Sequence, residues 1–336
     1  MRRLLIGHCD LDGWGSILIH LFFKDRYPEL DFTNYMIVDY GWEQVKENIS
    51  YVCSFSEVIM ADMSAPKEVV DLIRSRGTKV TIYDHHLSSE WLKEDPESIW
   101  DKERCGTKIF WEEYALKYIS RYPKIVQEFV DLVDTYDCWR EDSPLWQEAK
   151  NLNSVLYSFR DYNATNEIDA NRTFVLQVLR KFSVFPNWTW TEREKELINK
   201  SNERENQVYE ESLSTMRVRV DKKNRLFGII TIGSKISIVC ARILKDNPAL
   251  DYVICINSFR GISGKLSFRT QRDDFDLNSL AGVHGHPKAA GGTVTPELAN
   301  RIWTEDYVPE YEEDVPDKKD STEAIFSLYD QSKVEV

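Results

Sequence analysis

The chain has 336 residues and a formal net charge of −13, and 42% of its residues are hydrophobic. This length predicts about two domains, and this hydrophobic content predicts packed cores and excludes a chain that is disordered throughout. The acidic balance argues against a protein that binds long duplex nucleic acid through many phosphates. No run of 18 apolar residues is present, which argues against a membrane-spanning helix.

The six cysteines are scattered along the chain and form no Cys-x-x-Cys pair. A zinc ribbon and a disulfide-stabilised scaffold are therefore excluded. Scattered thiols are typical of a reducing compartment, so we expect a cytoplasmic protein. The N-terminal apolar run ends after Ile6 and is followed by Asp10 and Asp12. Such a run is too short for a signal peptide and favours a first strand.

Strands alternate with helices along residues 1–142. The predicted strands lie at 3–8, 32–40, 57–62 and 79–84, and the predicted helices at 16–27, 66–77, 107–120 and 123–136. This alternation predicts an α/β domain with a doubly wound, mostly parallel sheet.

Residues 143–220 carry few strand signals and are predicted to form a helical linker region, in which Thr191 and Glu194 are a possible capping box. A second, smaller α/β domain is predicted at 221–303, followed by an acidic tail at 304–336. The patterns in the second domain are strands at 226–232, 252–257 and 265–270, a helix at 236–245 and a glycine-rich segment at 282–292.

Acidic and histidine side chains follow three of the predicted strands where each strand ends. They are His8, Asp10 and Asp12 after the first strand, Asp62 after the third, and Asp84, His85 and His86 after the fourth. The alternation of the first three predicts that they share one side of an extended backbone. The carboxyl ends of parallel strands meet at one edge of a sheet, where ligands bind.

Carboxylates crowded at one edge would repel each other unless cations bind between them. Mixed oxygen and imidazole ligands suit Mn²⁺, and no thiolate pattern favours zinc. Any single aspartate in this set could instead be only the N-cap of the following helix. A metal centre is favoured because all of the residues fall at strand ends.

The three motifs at 8–13, 61–64 and 84–86 together resemble those of the DHH phosphoesterase superfamily. That superfamily includes RecJ-like nucleases, nanoRNases, cyclic-dinucleotide phosphodiesterases and one class of inorganic pyrophosphatases. Its fourth motif is an aspartate at the end of a later helix, for which Asp134 and Asp137 are candidates. The Tyr-Asp-x-Trp form at 136–139 is similar to the nanoRNase branch and favours Asp137.

The resemblance implies two divalent metal ions, expected to be Mn²⁺. One ion would be bound by His8, Asp10 and Asp62, and the other by Asp12, Asp62, His85 and Asp137. A hydroxide held between the two ions would be the nucleophile. The resemblance also implies two catalytic residues: His86 would contact the substrate phosphate, and Asp84 would orient a neighbouring ligand.

The segment at 285–292 resembles the glycine-rich motif of the DHHA1 substrate-binding domain. The substrate-binding residues that this implies are Arg269, His286, Gly285, Gly291 and Gly292. The arginine and histidine match the family positions that hold a terminal nucleotide or phosphate. The glycines, taken to precede a helix, would let backbone amides approach that phosphate.

The sequence departs from the DHHA1 pattern at Val283 and His284, where the family usually has glycine. Bulk at these positions is expected to reshape the substrate end of the pocket. The DHHA1 resemblance itself argues against the pyrophosphatase branch, whose second domain differs.

The leading functional hypothesis is a phosphodiesterase that degrades short oligonucleotides to 5′-mononucleotides. The alternative is a phosphodiesterase of cyclic dinucleotides or other small signalling nucleotides, which would share the same catalytic core. A non-catalytic nucleotide-binding relic is disfavoured because no expected ligand is missing, and a Rossmann dehydrogenase because no Gly-x-Gly-x-x-Gly follows the first strand. The expected partners are a short oligonucleotide or small nucleotide and a possible second copy of the chain, with no membrane.

Overall fold

The computed structural model describes residues 2–39, 42–257, 264–304 and 307–314. It divides into two compact units, Met1–Asn202 and Glu203–Val336. The division therefore falls inside the helical region predicted at 143–220. Most of the acidic tail predicted at 304–336 lies outside the described residues.

The first unit is built on a five-stranded parallel sheet in the order β2-β1-β3-β4-β5. Its strands are β1 (Arg3–His8), β2 (Asn34–Val38), β3 (Glu57–Ala61), β4 (Lys79–Asp84) and β5 (Ile99–Trp100). Leu4 and Ile6 pack into one buried cluster and Leu5 into another, so both faces of β1 are covered. Burial of both faces explains why the strands are continuous apolar runs. The strand order reverses between β1 and β3, and that switch point is where open α/β sheets bind ligands.

Ten helices of the described chain begin in the first unit. They are α1 (Leu11–Phe23), α2 (Trp42–Glu47), α3 (Ile49–Val52), α4 (Lys67–Ser75), α5 (Gly106–Glu113), α6 (Lys124–Asp137), α7 (Trp146–Phe159), α8 (Glu167–Ala170), α9 (Arg172–Val184) and α10 (Glu192–Thr215), with short 3-10 helices at Pro28–Leu30, Leu87–Glu94 and Ala115–Lys117. The predicted capping box opens α10: Thr191 N donates to Glu194 Oε2 at 2.8 Å. Among the helices that the structure describes, none is long and apolar enough to cross a membrane.

The start of α1 corrects one sequence prediction. The helix was predicted to begin at Ser16, but it begins at Leu11 because Asp10 is its N-cap and accepts a hydrogen bond from Gly13 N at 3.1 Å. Asp12 therefore lies in the first helical turn and not on an extended backbone with His8 and Asp10.

The second unit holds a mixed six-stranded sheet in the order β10-β11-β9-β8-β7-β6. Its elements are β6 (Arg217–Val220), β7 (Leu226–Thr231), α11 (Ile236–Asp246), β8 (Tyr252–Ile256), β9 (Gly264–Thr270), β10 (His284–His286), β11 (Ala289–Val294) and α12 (Pro296–Thr304), with 3-10 helices at Leu277–Ser279 and Glu312–Asp314. β7 and β8 pair in parallel through the α11 crossover, and the other pairs are antiparallel. Phe227 and Tyr252 stack in its core with ring centroids 5.0 Å apart.

The glycine-rich segment corrects a second prediction. It was expected to precede a helix, but it forms the β10–β11 hairpin. Gly291 and Gly292 lie inside β11 and pair with Ser267 and Leu266 of β9. A Cβ atom at Gly285 would lie 2.8 Å from Ala289 O, so this glycine permits close approach of the two hairpin strands.

Candidate metal centre

The predicted ligands meet at the carboxyl edge of the first sheet. His8 ends β1, Asp62 directly follows β3, and His85 directly follows β4, while Asp137 is the last residue of α6. Because β1, β3 and β4 are neighbours in the sheet, their carboxyl ends lie side by side. Helix α6 brings the remaining carboxylate to the same place from outside the sheet.

The first group consists of His8, Asp10 and Asp62, whose ligand atoms all lie within 4.8 Å of one another. His8 Nδ1 is 2.8 Å from Asp10 Oδ2 and 3.9 Å from Asp62 Oδ2. Asp10 uses its other oxygen, Oδ1, to cap α1. The N-cap role and the metal-ligand role predicted for Asp10 are therefore compatible, because each uses a different oxygen.

The second group converges on His85. Its Nε2 atom is 3.1 Å from Asp137 Oδ2, 3.4 Å from Asp62 Oδ1 and 3.9 Å from Asp12 Oδ2. Asp62 thus faces both groups, with Oδ2 towards His8 and Oδ1 towards His85. One buried carboxylate therefore faces both groups of candidate ligands.

Asp62 is held in an unusual backbone conformation, with φ at +60° and its side chain 1% exposed. Non-glycine residues seldom adopt this left-handed conformation, although aspartate tolerates it better than most. Such local strain is common at functional sites, where the surrounding structure maintains it.

Asp12 is fixed by the start of helix α5. Gly106 N donates to Asp12 Oδ2 at 2.6 Å, and Thr107 N donates to Asp12 Oδ1 at 2.7 Å. A carboxylate at a helix N-terminus is stabilised by the unpaired amides and by the helix dipole. Sequence reasoning missed Gly106 and Thr107, because they are far from Asp12 along the chain and only the fold brings them to it.

The electrostatics of this edge suit cations. Burial, followed by repulsion from Asp10, Asp12 and Asp137, raises the pKa of Asp62, and burial with repulsion from Asp12 and Asp10 raises that of Asp137. Within the described chain, Asp62 Oδ2 and Asp137 Oδ2 are buried and accept no hydrogen bond. Burial lowers the pKa of His85, which favours the neutral imidazole that binds metal. The donor set therefore fits divalent metal ions with oxygen and imidazole ligands.

His86 and Asp84 form a hydrogen-bonded pair within this cluster, and ligand atoms of both lie within 4.8 Å of those of Asp62 and His85. Asp84 Oδ1 accepts hydrogen bonds from His86 Nδ1 and from His85 N, each at 2.8 Å. Burial opposes protonation of His86, but the hydrogen bond and charge of Asp84 raise the pKa of His86 to about 9. In the metal-free protein His86 is therefore a cation with a partly exposed ring. Asp84 orients His86 as well as the backbone of His85.

The alternative fourth-motif residue, Asp134, is occupied by structural contacts. Its carboxylate accepts hydrogen bonds from Cys105 N and Lys108 Nζ, both at 3.0 Å, and lies 2.9 Å from Arg140. Cys138, which the sequence did not suggest, has its thiol near His85 and Asp137. Burial, followed by the charge of Asp134, raises the pKa of that thiol, which disfavours the thiolate that would bind metal.

In the second unit, Arg269 and His286 lie in one row across three strands. Arg269 of β9 pairs with Ala289 of β11, and Ala289 pairs with His286 of β10. Directly paired residues share a face of the sheet, so these side chains lie about 10 Å apart across the small Ala289. Arg269 also donates to Ser237 Oγ, in the first turn of α11, at 2.9 Å.

Sequence reasoning also missed Tyr157 of α7. Burial and the charge of Asp10 raise the pKa of its hydroxyl, which places the tyrosine within the electrostatic reach of Asp10. The residue as a whole is 41% exposed, so the burial that raises this pKa is that of the hydroxyl and not of the whole side chain. Tyr157 lies in a stretch where the sequence predicted only a helical linker, so no motif marked it.

Comparison with known proteins gives a relative by sequence and others by structure. The chain is 25% identical over 308 residues to oligoribonuclease NrnB of Bacillus subtilis strain 168, covering 88% of this chain and 73% of the relative. It is also similar to the structure of a DHH domain from a protein described as a member of a family of ribosomal proteins. The TM-score is 0.60 and the identity 15%, and the match covers 91% of this chain and 87% of that structure. A structure of exonuclease RecJ bound to manganese matches with a TM-score of 0.48 and 14% identity, covering 90% of this chain and 89% of that structure. No family model matches the sequence.

The DHH-domain structure confirms the predicted fold class. Fold, acidic and histidine cluster, and sequence relative together define a metal-dependent hydrolase. Within that class the chain is similar to proteins of the DHH/DHHA1 phosphoesterase superfamily, as its motifs predicted, and its sequence relative is an oligoribonuclease by name.

Proposed function

We propose that this protein is a two-metal phosphodiesterase that hydrolyses short oligonucleotides to 5′-mononucleotides. The observation that carries the proposal is the position of Asp62, which directs one oxygen towards His8 and the other towards His85. Two ligand groups that share one buried carboxylate are the arrangement expected of a pair of divalent ions.

The residues that would hold one ion are His8, Asp10 and Asp62, and those that would hold the other are Asp12, Asp62, His85 and Asp137. When bound, divalent ions, for which Mn²⁺ is the best candidate, would supply Lewis acidity to a phosphoryl oxygen and lower the pKa of water, so that it loses a proton and hydroxide is available as the nucleophile. The protein's own contribution is rigid placement. Helix α5 holds Asp12, the cap of α1 holds Asp10, and the left-handed backbone holds Asp62.

We propose that His86 acts on the substrate. Its Nδ1 is engaged by Asp84, so a contact with a phosphodiester would be made through Nε2. We infer that protonated His86 donates a hydrogen bond to the phosphate. It then gives a proton to the leaving O3′ oxygen as the P–O3′ bond breaks. Cleavage of that bond leaves the phosphate on the 5′ side, which yields 5′-mononucleotides.

The substrate class rests on the sequence relative and on the second unit. The relative is named an oligoribonuclease, which favours short RNA. We propose that Arg269 and His286 hold a terminal phosphate or nucleotide, since both lie on one face of the sheet and both bind phosphate well. The net charge of −13 gives no electrostatic aid to long strands.

The proposal is tested by hydrolysis of a substrate panel with added Mn²⁺. The panel contains dinucleotides, longer RNA and DNA, cyclic dinucleotides, 3′-phosphoadenosine 5′-phosphate and pyrophosphate. We expect dinucleotides to give the highest kcat/KM, whereas a clear preference for cyclic dinucleotides would support the alternative substrate class. Asp62→Asn should lose several orders of magnitude of activity, and the exposed control Asp71→Asn should lose none. An Asp62→Asn protein with near-normal turnover would overturn the ligand assignment.

A further inference from the structure

One face of α7 carries partly exposed residues at helical spacing. They are Trp146, Lys150, Asn153 and Tyr157, at positions i, i+4, i+7 and i+11. The opposite face supplies the buried residues of α7, among them Leu152 and Phe159. The partly exposed face therefore does not contribute to the hydrophobic core that the opposite face of α7 packs against. It ends at Tyr157, within the electrostatic reach of the candidate metal ligand Asp10.

Two further aromatic rings join this face from the end of α6. Tyr136 stacks on Trp146 with ring centroids 5.8 Å apart and planes 12° apart. Trp139 meets Trp146 edge-on at 5.0 Å. Tyr136 OH accepts a hydrogen bond from Asn153 Nδ2 at 2.8 Å, which fixes the stacked pair against α7. We call Tyr136, Trp139 and Trp146 the aromatic cluster.

The aromatic cluster directly adjoins the candidate metal centre. Tyr136 precedes Asp137 in the chain, and Trp139 follows it by two residues with φ at +52°. This left-handed backbone at Trp139 ends α6 and turns the chain back so that the indole meets Trp146. In the described part of the chain, neither tryptophan packs on a buried hydrophobic cluster, whereas Tyr136 does.

A contiguous group of partly exposed aromatic side chains commonly marks a binding site. Trp and Tyr rings stack on nucleobases of any sequence, because every base has a π-face. A surface without a basic track can hold a nucleotide in this way, and such binding suits an acidic protein.

We propose that the aromatic cluster is a base-stacking subsite that holds one nucleobase of the substrate next to the candidate metal centre, of which Asp137 is a part. This inference rests on the proposed function and deepens it, because it assigns a nucleotide-binding role to the first unit alone. Trp139 and Trp146 present the stacking surface, and Tyr136 with Asn153 keeps Trp146 in place. The subsite selects substrates that carry a base beside the scissile bond, whatever the base.

The test compares Trp139→Ala and Trp146→Ala with wild type on two kinds of substrate. One is an RNA dinucleotide, and the other is the same dinucleotide with either base replaced by an abasic ribose. In wild type, loss of the stacked base should raise KM roughly 10-fold or more, and each alanine variant should raise KM for the intact dinucleotide by a similar factor. On the matching abasic dinucleotide the variants should equal wild type, because the ring and the base contribute to the same interaction.

Trp139→Phe and Trp146→Phe should have KM values close to that of wild type, since a phenyl ring still stacks on the base. The kcat should change little in all four variants. Tyr118→Ala is the control, because Tyr118 is an exposed aromatic residue that packs against Tyr114, away from the carboxyl edge of the sheet. Bound Mn²⁺ and melting temperature are measured for every variant.

The outcomes separate the two proposals. If wild type is active and the alanine variants have the same KM as wild type, the stacking subsite is overturned. It is also overturned if the alanine variants raise KM by the same factor on intact and on abasic dinucleotides. A phenylalanine variant whose KM is as high as that of the alanine variant also overturns the subsite. Wild-type protein that hydrolyses no dinucleotide with Mn²⁺ overturns the proposed function. In that case, binding of nucleoside 5′-monophosphate that the alanine variants do not weaken overturns the subsite as well.

Discussion

Gly106 packs directly against the backbone of Asp62: a Cβ atom at position 106 would lie 2.5 Å from Asp62 Cα. The amide of the same glycine donates to Asp12 at 2.6 Å. The first residue of α5 therefore positions two of the candidate ligands, one through close packing and the other through a hydrogen bond. Neither contact involves a side chain at position 106.

Gly106→Ala should displace Asp62 and weaken metal binding. Contacts that orient metal ligands are commonly worth 10- to 100-fold in metal affinity, so we expect a loss of roughly that size in Mn²⁺ affinity, with activity falling in parallel. Titration calorimetry with Mn²⁺ measures it. Gly77→Ala is the control, because Gly77 has φ at +87° but nothing lies within 4 Å of a Cβ there. That variant should lose stability and keep its Mn²⁺ affinity, and equal affinities in the two variants would contradict the role of Gly106.

Arg269→Ala and His286→Ala should weaken substrate binding and leave the metal content intact. Loss of a charge-assisted contact to phosphate should raise KM roughly 10- to 100-fold. Kinetics on dinucleotides combined with metal analysis checks this expectation. Arg272→Ala is the control, since Arg272 is about half exposed and pairs with Asp251. Metal lost from either test variant would contradict the division of labour between the two units.

Specific activity should fall steeply as oligonucleotides lengthen beyond about five residues, because a net charge of −13 gives long strands little electrostatic help. The measurement compares RNA oligomers of increasing length at one moderate salt concentration, since phosphate-driven binding depends strongly on salt. Equal or faster degradation of long single strands would point to a processive exonuclease.

Acid should destabilise the protein through His20. Its side chain is 2% exposed, and Nδ1 donates to Leu30 O at 2.7 Å. Burial lowers the pKa of His20 below its ordinary value of 6.5, so the unfolded chain takes up this proton at a higher pH than the folded chain does. The free energy of unfolding should therefore fall as pH drops below about 6.5, by at most about 1.4 kcal/mol per pH unit from this residue.

His20→Asn keeps a donor near the same place and does not titrate, so it provides the comparison for the His20 prediction. The difference in unfolding free energy between wild type and variant, from urea titrations, should be constant above about pH 7 and should shift in favour of the variant below about 6.5. A difference that stays constant down to about pH 5 would show that His20 does not contribute.

The sequence predicted the sheet well because its strands are buried on both faces and are therefore plain apolar runs, as Leu4 to Ile6 show. Strand ends then located His8, Asp62 and His85 at one edge. The start of α1 was misplaced because Asp10 serves both as a cap and as a candidate ligand.

Contacts between distant segments could not be predicted from a single sequence. The hydrogen bonds from α5 to Asp12 and the row that joins Arg269 to His286 both depend on tertiary structure. The glycine-rich segment was misassigned for a related reason. Glycine is compatible both with a loop that binds phosphate and with tightly paired strands, and only the pairing with β9 decides between them.

The most direct measurement of the central claim is the number of Mn²⁺ ions bound per chain by equilibrium dialysis, for wild type and for Asp62→Asn. Asparagine tolerates the left-handed backbone at this position, so the variant should fold while losing the shared carboxylate. The two-metal account predicts two ions per wild-type chain and less than one per Asp62→Asn chain. A single ion in wild type, or two ions retained by the variant, would contradict it.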